Sequence, residues 1–253
     1  MNNPSALART VAALLVAGIA LPAQAIPLIT NGGFESGLTG WTRSEQIGSE
    51  GTFFLQSGTV SPVVGDPVPA PPEGTQAAMT DAEGPGSHVL YQAFTVTAPA
   101  ESALLSFDLF VGNRAGSFHA PNTLDFATPA INQQARVDLL LGNADPFSVA
   151  AGDIVMNLFR TLPGDAAVSG YTHFTFDLTS VVAANVNVPL TLRFAEVDNL
   201  FTFQFGVDNV SFEAGPRQAV PEPASLVLML VALLALGVAR RHGFLPRFAV
   251  ARR

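Results

Sequence analysis

The 253-residue chain has no cysteine, no lysine, one tryptophan and two tyrosines. Without thiols it forms no disulfide framework, thiolate zinc site, iron–sulfur cluster or cysteine nucleophile, so the fold must rest on its core. Without lysine there is no phosphate-cradling Gly-Lys-Ser/Thr loop, and neither a His-Glu-x-x-His pair nor a Gly-x-Ser-x-Gly elbow is present. The four histidines, His88, His119, His173 and His242, are scattered along the chain, and His173 reads as a solvated side chain. Twelve arginines face 20 acids that are spread rather than clustered, which argues against a nucleic-acid footprint. So few broad aromatics leave little for a sugar-stacking platform, because Tyr91 and Tyr171 lie in strand-like runs and Trp41 follows the Gly40 turn.

What the chain does have is 48% apolar residues, 19 of them phenylalanine, enough for one sizeable core. Two apolar runs at the ends read as addresses. Arg9 precedes an unbroken run over residues 11–21, and Ala23-Gln24-Ala25 supplies the small-x-small pattern cut by signal peptidase. Residues 1–25 are therefore expected to be a signal peptide and Ile26 the mature N-terminus. A second run, residues 224–239, is followed by Arg240 and Arg241. At about 1.5 Å per residue it reaches roughly 24 Å as a helix, against a hydrocarbon core of about 30 Å, and reads as a short transmembrane anchor. Its basic flank, residues 240–253, belongs on the cytoplasmic side, so the preceding domain faces away from the cytoplasm. Between 26 and 219 the chain carries 19 acids against six arginines, a net of −13 that suits solubility at a cell surface.

Pro221 and Pro223 donate no backbone hydrogen bond and bias Val220 and Glu222 toward extended backbone, the form a protease grips. Pro221-Glu222-Pro223, the short apolar run and Arg240-Arg241 together resemble the PEP-CTERM sorting signal of Gram-negative bacteria. That resemblance implies an exosortase-type membrane protease as partner, handling residues 220–253. It also implies an inner-membrane-anchored stage facing the periplasm, followed by delivery to the cell surface or extracellular matrix. The tail from His242 to Arg253 is longer than the family's usual few residues.

Residues 26–219 read as short alternating runs broken by Gly, Pro, Asn and Asp, which predicts an all-β sandwich with little helix. Leu105, Phe107, Leu109 and Val111 alternate with polar residues, as do Val137, Leu139 and Leu141; Leu190, Leu192 and Phe194; and Phe174, Phe176 and Leu178. Each predicts a strand buried on one face only, with residues such as Arg136, Asp138 and Arg193 on the other; residues 88–97 form a further strand. The proline-rich stretch 57–75 and residues 112–134 read as long surface loops. In the last strand Phe203, Phe205 and Val207 are out of phase with Val210 and Phe212, which predicts a bulge or a corner beside Asp208.

Asn31-Gly32-Gly33-Phe34-Glu35 with Gly40-Trp41 resembles the opening of galactose-binding-like jelly rolls, the fold of many carbohydrate-binding modules. Gly206-Val207-Asp208-Asn209-Val210-Ser211-Phe212 resembles their closing strand. Residues 132–138 and 192–199 look like a recurrent group of surface proteins with the same sorting tail. The resemblance implies a structural calcium held by Glu35 and Asp208, with the alternative that both merely accept turn amides; Asn209 stands where relatives often carry a second acid. Three functional expectations follow: a non-enzymatic, calcium-stabilised surface protein; a carbohydrate-binding module recognising exopolysaccharide, for which His119, Asn122 and Asp125 on the second loop are the candidate contacts; or a glycoside-active domain using paired carboxylates.

Overall fold

A computed structural model describes residues 25–215; the expected leader, the anchor and the sorting residues Pro221, Glu222, Pro223, Arg240 and Arg241 lie outside the described residues. Eleven strands and one short helix follow in chain order: β1 (Ile26–Pro27), β2 (Thr42–Glu45), β3 (Thr52–Gln56), β4 (Ala77–Asp81), β5 (Gly86–Thr95), β6 (Ser102–Asn113), β7 (Gln133–Leu141), β8 (Ile154–Arg160), β9 (Thr172–Asp177), α1 (Thr179–Ala184), β10 (Pro189–Asp198) and β11 (Phe203–Gly215). They form two antiparallel sheets, ordered β3-β4-β11-β6-β9 and β2-β5-β10-β7-β8, with β1 added beside β11. From β4 onward the orders 4-11-6-9 and 5-10-7-8 are a jelly-roll winding, in which every connection except β7–β8 crosses between the facing sheets. Among the described residues no helix is long and apolar enough to cross a membrane.

Alternation works as expected on the inner faces. Leu105, Phe107, Leu109 and Val111 of β6 meet Val137 and Leu139 of β7, and Leu190, Leu192 and Phe194 of β10, in one core. Phenylalanines span the two sheets: Phe94 of β5 meets Phe212 of β11 edge-on at 5.1 Å, and Phe107 of β6 meets Phe194 of β10 at 5.5 Å. Each such ring contributes roughly 1.5–3 kcal/mol by leaving water. Trp41 is packing, as its place after a glycine turn suggests: it lies against Phe34 and Phe194, and its indole N–H donates to the Asn31 carbonyl at 3.0 Å.

The phase slip in β11 is a bulge. Asp208 pairs with Asp108 of β6 and Ser211 with Ser106, so Asn209 and Val210 together oppose Phe107 alone. Asn209 takes the left-handed backbone (φ 51°), which asparagine tolerates better than branched residues. The Val210 amide, freed from the ladder, donates to the Gly32 carbonyl at 3.0 Å. Gly32 is required by the close approach, because a Cβ there would be driven into the Val210 carbonyl oxygen.

One expectation is overturned. The polar faces of β7 and β10 are not solvated: Arg136, Asp138 and Arg193 are buried, Arg193 completely. Residues 114–132 and 142–153 fold over the outer face of the second sheet, where Leu124, Phe126, Phe147 and Val149 pack on Val89, Ala195 and Val197. This sheet is therefore buried on both sides, and its charges survive there by pairing.

Candidate functional site

Among the described residues polar side chains gather in several places, three of them relevant to function. The first is the ion cluster under the 142–153 loop. Arg136 grips Asp138 with two hydrogen bonds, at 2.7 and 2.8 Å, and Arg193 of the neighbouring strand adds a further ion pair. Arg193 also donates to the carbonyls of Pro146 and Ser148, both at 2.7 Å, so the cluster tethers the loop. Burial alone would raise the Asp138 carboxyl, but the Arg136 hydrogen bonds and the two guanidinium charges outweigh it and hold the group below its ordinary value. Every charge here has a partner, which makes the cluster structural.

The second place joins the first turn to the bulge. Glu35, exposed, accepts the Thr75 amide at 2.7 Å, the Gln76 amide at 2.8 Å and the Thr75 hydroxyl at 2.9 Å; the two amides and the hydroxyl hold its carboxyl below the ordinary range. Asp208, buried, accepts the Glu73 amide at 3.1 Å and the Asn209 amide at 2.7 Å. The two acids thus secure opposite sides of one segment, residues 73–76. Burial pushes the Asp208 carboxyl up to about 7, against the two amide bonds and with the help of the Glu73 and Asp108 charges. Asp108 in turn contacts the His173 ring at 2.8 Å and the Asn209 side chain at 3.1 Å, so the exposed His173 is not free in solvent.

The loop candidates separate. His119 pairs with Gln133 across an isolated bridge and contacts Ser117 at 3.2 Å, and Asn122 is exposed. Asp125 alone of the three lines an open cleft of about 540 Å³, with Gln46, Thr123, Asp145, Phe147, Ser148 and Asp153 among its walls. Its carboxylate accepts from the Gln46 side chain and, at 2.9 Å, from the Ala127 amide.

The third place was not foreseen from the sequence. His88 of β5 stands directly opposite Glu196 of β10, and Asp198 follows two residues along the same face. One ligating atom from each lies within 4.8 Å of the others, and all three side chains are buried at the end of the sandwich. The Gly86 amide donates to Asp198 at 2.8 Å, while His88 Nδ1 and Glu196 Oε1 have no hydrogen-bond partner. Burial pushes His88 down to about 4 and Asp198 up to about 7; burial, aided by the Asp198 charge, raises Glu196 well above the usual carboxylate range. A histidine and two acids spaced through separate strands carry no local motif; only the β5–β10 register unites them.

Comparison with known protein families finds no match, and no curated protein matches. Solved structures that resemble the chain include a family 61 carbohydrate-binding module in complex with β-1,4-galactotriose (10% identity, 74% of this chain, 97% of that one, TM-score 0.41). Others are a carbohydrate-binding module specific for non-crystalline cellulose (12% identity, 76% and 98%, TM-score 0.38) and an apo cyclase from Fischerella sp. (21% identity, 77% and 98%, TM-score 0.42). Likeness at this level assigns neither family nor ligand to the chain.

Proposed function

We propose that the chain is an exported surface protein: a non-catalytic, calcium-stabilised β-sandwich, anchored through residues 224–239 until an exosortase-type protease acts at Pro221-Glu222-Pro223. The observation that carries the reading is the pairing of the first strand with the last. Ile26 lies opposite Ala214 and Pro27 opposite Glu213, so the sandwich is closed by its own two ends. Cleavage after Ala25 would leave every described strand in place, since β1 begins at Ile26, and the proposed sorting segment begins five residues after β11 ends at Gly215. Intact mass of the chain recovered from the envelope tests it, because it reads both ends at once.

Calcium takes 6–8 oxygen ligands, and the corner of Asp208, Glu73 and Asp108 concentrates negative charge suited to such a cation. Glu73 is close by: a Cβ on Gly33 would sit 2.8 Å from its carboxylate. Asp208 and Glu73 would hold the ion, with Glu35 fixing the 73–76 segment. Chelation is expected to lower the melting temperature by about 2–4 °C for each kcal/mol of binding lost, and Asp208→Ala to erase the difference. Identical melting in calcium and in chelator contradicts this part.

The cleft lined by Asp125, Asp145, Asp153, Gln46 and Phe147 favours a second reading, binding of exopolysaccharide, since sugars are held by carboxylates and amides beside an apolar ring. Retention of the full chain on exopolysaccharide that falls about tenfold or more in Asp145→Ala supports it. Retention equal to that of the parent chain contradicts it.

A further inference from the structure

His88, Glu196 and Asp198 bring one ligating atom each together across the inner face of the second sheet, where Glu196 also hydrogen-bonds the Thr80 side chain. The His88 ring hydrogen-bonds the Glu50 carbonyl, and its Nε2 edge crowds the α-carbon of Gly86, a position where a Cβ would collide with both. With the ring proton on that side, Nδ1 carries a lone pair; it is buried and has no hydrogen-bond donor facing it. Glu196 Oε1 is buried in the same condition, and Asp198 has one oxygen bound to the Gly86 amide and the other free of that bond. One ligating atom from each side chain lies within 4.8 Å of the others in a buried place that also holds the unpartnered His88 Nδ1 and Glu196 Oε1, an arrangement a cation between them would satisfy.

We propose that these three side chains form a site for a divalent ion of the zinc class, bound through His88 Nδ1, Glu196 and Asp198. The donor set decides the class. An imidazole nitrogen suits zinc and its neighbours, whereas calcium asks for an all-oxygen shell of 6–8 ligands that three converging side chains do not supply. A backbone carbonyl on the far nitrogen is the outer contact that ordinarily orients a metal-binding histidine. Entry is available: Asp198 also lines a recess of about 120 Å³ that opens beside the exposed Glu83, between the β4–β5 and β10–β11 turns. An ion there would clamp the adjoining ends of β5 and β10, at the opposite side of the chemistry from the all-oxygen corner at Asp208. The proposal is independent of the calcium and export readings.

The test uses the full chain in detergent, free of any histidine tag, stripped with a zinc-selective chelator in excess calcium. Zinc is then titrated in competition with a chromophoric chelator. One equivalent is expected to bind, and His88→Gln and Glu196→Gln should each weaken it by more than the roughly 10–100-fold that losing an outer-shell partner costs. X-ray absorption of the parent chain should show nitrogen and oxygen ligands at about 2.0–2.2 Å together with the outer-shell scattering of one imidazole ring. Failure to bind an equivalent of zinc, or retention of it by both variants, overturns the site. Should either variant unfold by circular dichroism, the absorption spectrum decides, and a spectrum without imidazole scattering overturns it.

Discussion

Asp138 shows how one residue can govern a loop eight to ten positions away. It sits at the centre of a buried triad whose second arginine, Arg193, holds the Pro146 and Ser148 carbonyls. Removing one member of a buried pair leaves an uncompensated charge and costs about 3–5 kcal/mol. Asp138→Asn is therefore expected to lower the urea midpoint sharply at pH 7. The folded-state carboxyl lies below its ordinary 3.8, so its contribution is complete above that value and is lost as pH falls through the lower one. The gap between parent and variant should narrow below about pH 4; equal midpoints at pH 7 would show that the triad does not hold the loop. None of this was legible in the sequence. Arg136, Asp138 and Arg193 alternate with apolar residues just as solvent-facing residues do, and nothing local announces the loops that cover them. His88, Glu196 and Asp198 were hidden for a different reason: they lie on the inner-face parity of β5 and β10, and only the register between the two strands brings them together.

Strands themselves were legible because their period is two and their inner faces are rich in phenylalanine, leucine and valine. The clearest case is β11, where a change of parity between Val207 and Val210 predicts the irregularity that the register shift between Asp208 and Ser211 displays. What the sequence left out was the partner of the bulge, the Gly32 turn, 178 positions away. That contact gives an element-scale prediction. Gly32→Ala forces a methyl group against the Val210 carbonyl and should destabilise the chain by about 1–3 kcal/mol, as overpacking does. Asn209→Gly keeps the positive φ and gives up only the side-chain hydrogen bond to Asp108, so it should cost about 0.5–1.5 kcal/mol. Thermal melting of both variants checks the pair, and a Gly32→Ala chain as stable as the parent would mean that the turn and the bulge are not in contact. The helix Thr179–Ala184 carried no signal in advance, being a short connection with no acidic first turn and no side-chain cap.

Across the molecule, the fold is compatible with the proposed export. In the sequence a strongly acidic sandwich, closed by β1 beside β11, lies between the proposed leader, residues 1–25, and the proposed sorting segment from Val220. Among the described residues, carboxylates secure the architecture at the triad under the loop, at the turn beside the bulge, at the buried end of β5 and β10, and at Asp81, which accepts the Val63 and Val64 amides. Intact mass of the chain taken from the envelope of the cells that make it tests the central claim most directly. The account predicts a species beginning at Ile26 and ending near Pro221–Pro223. A chain that still carries residues 1–25 and 224–253, recovered from the cytosol, would contradict it.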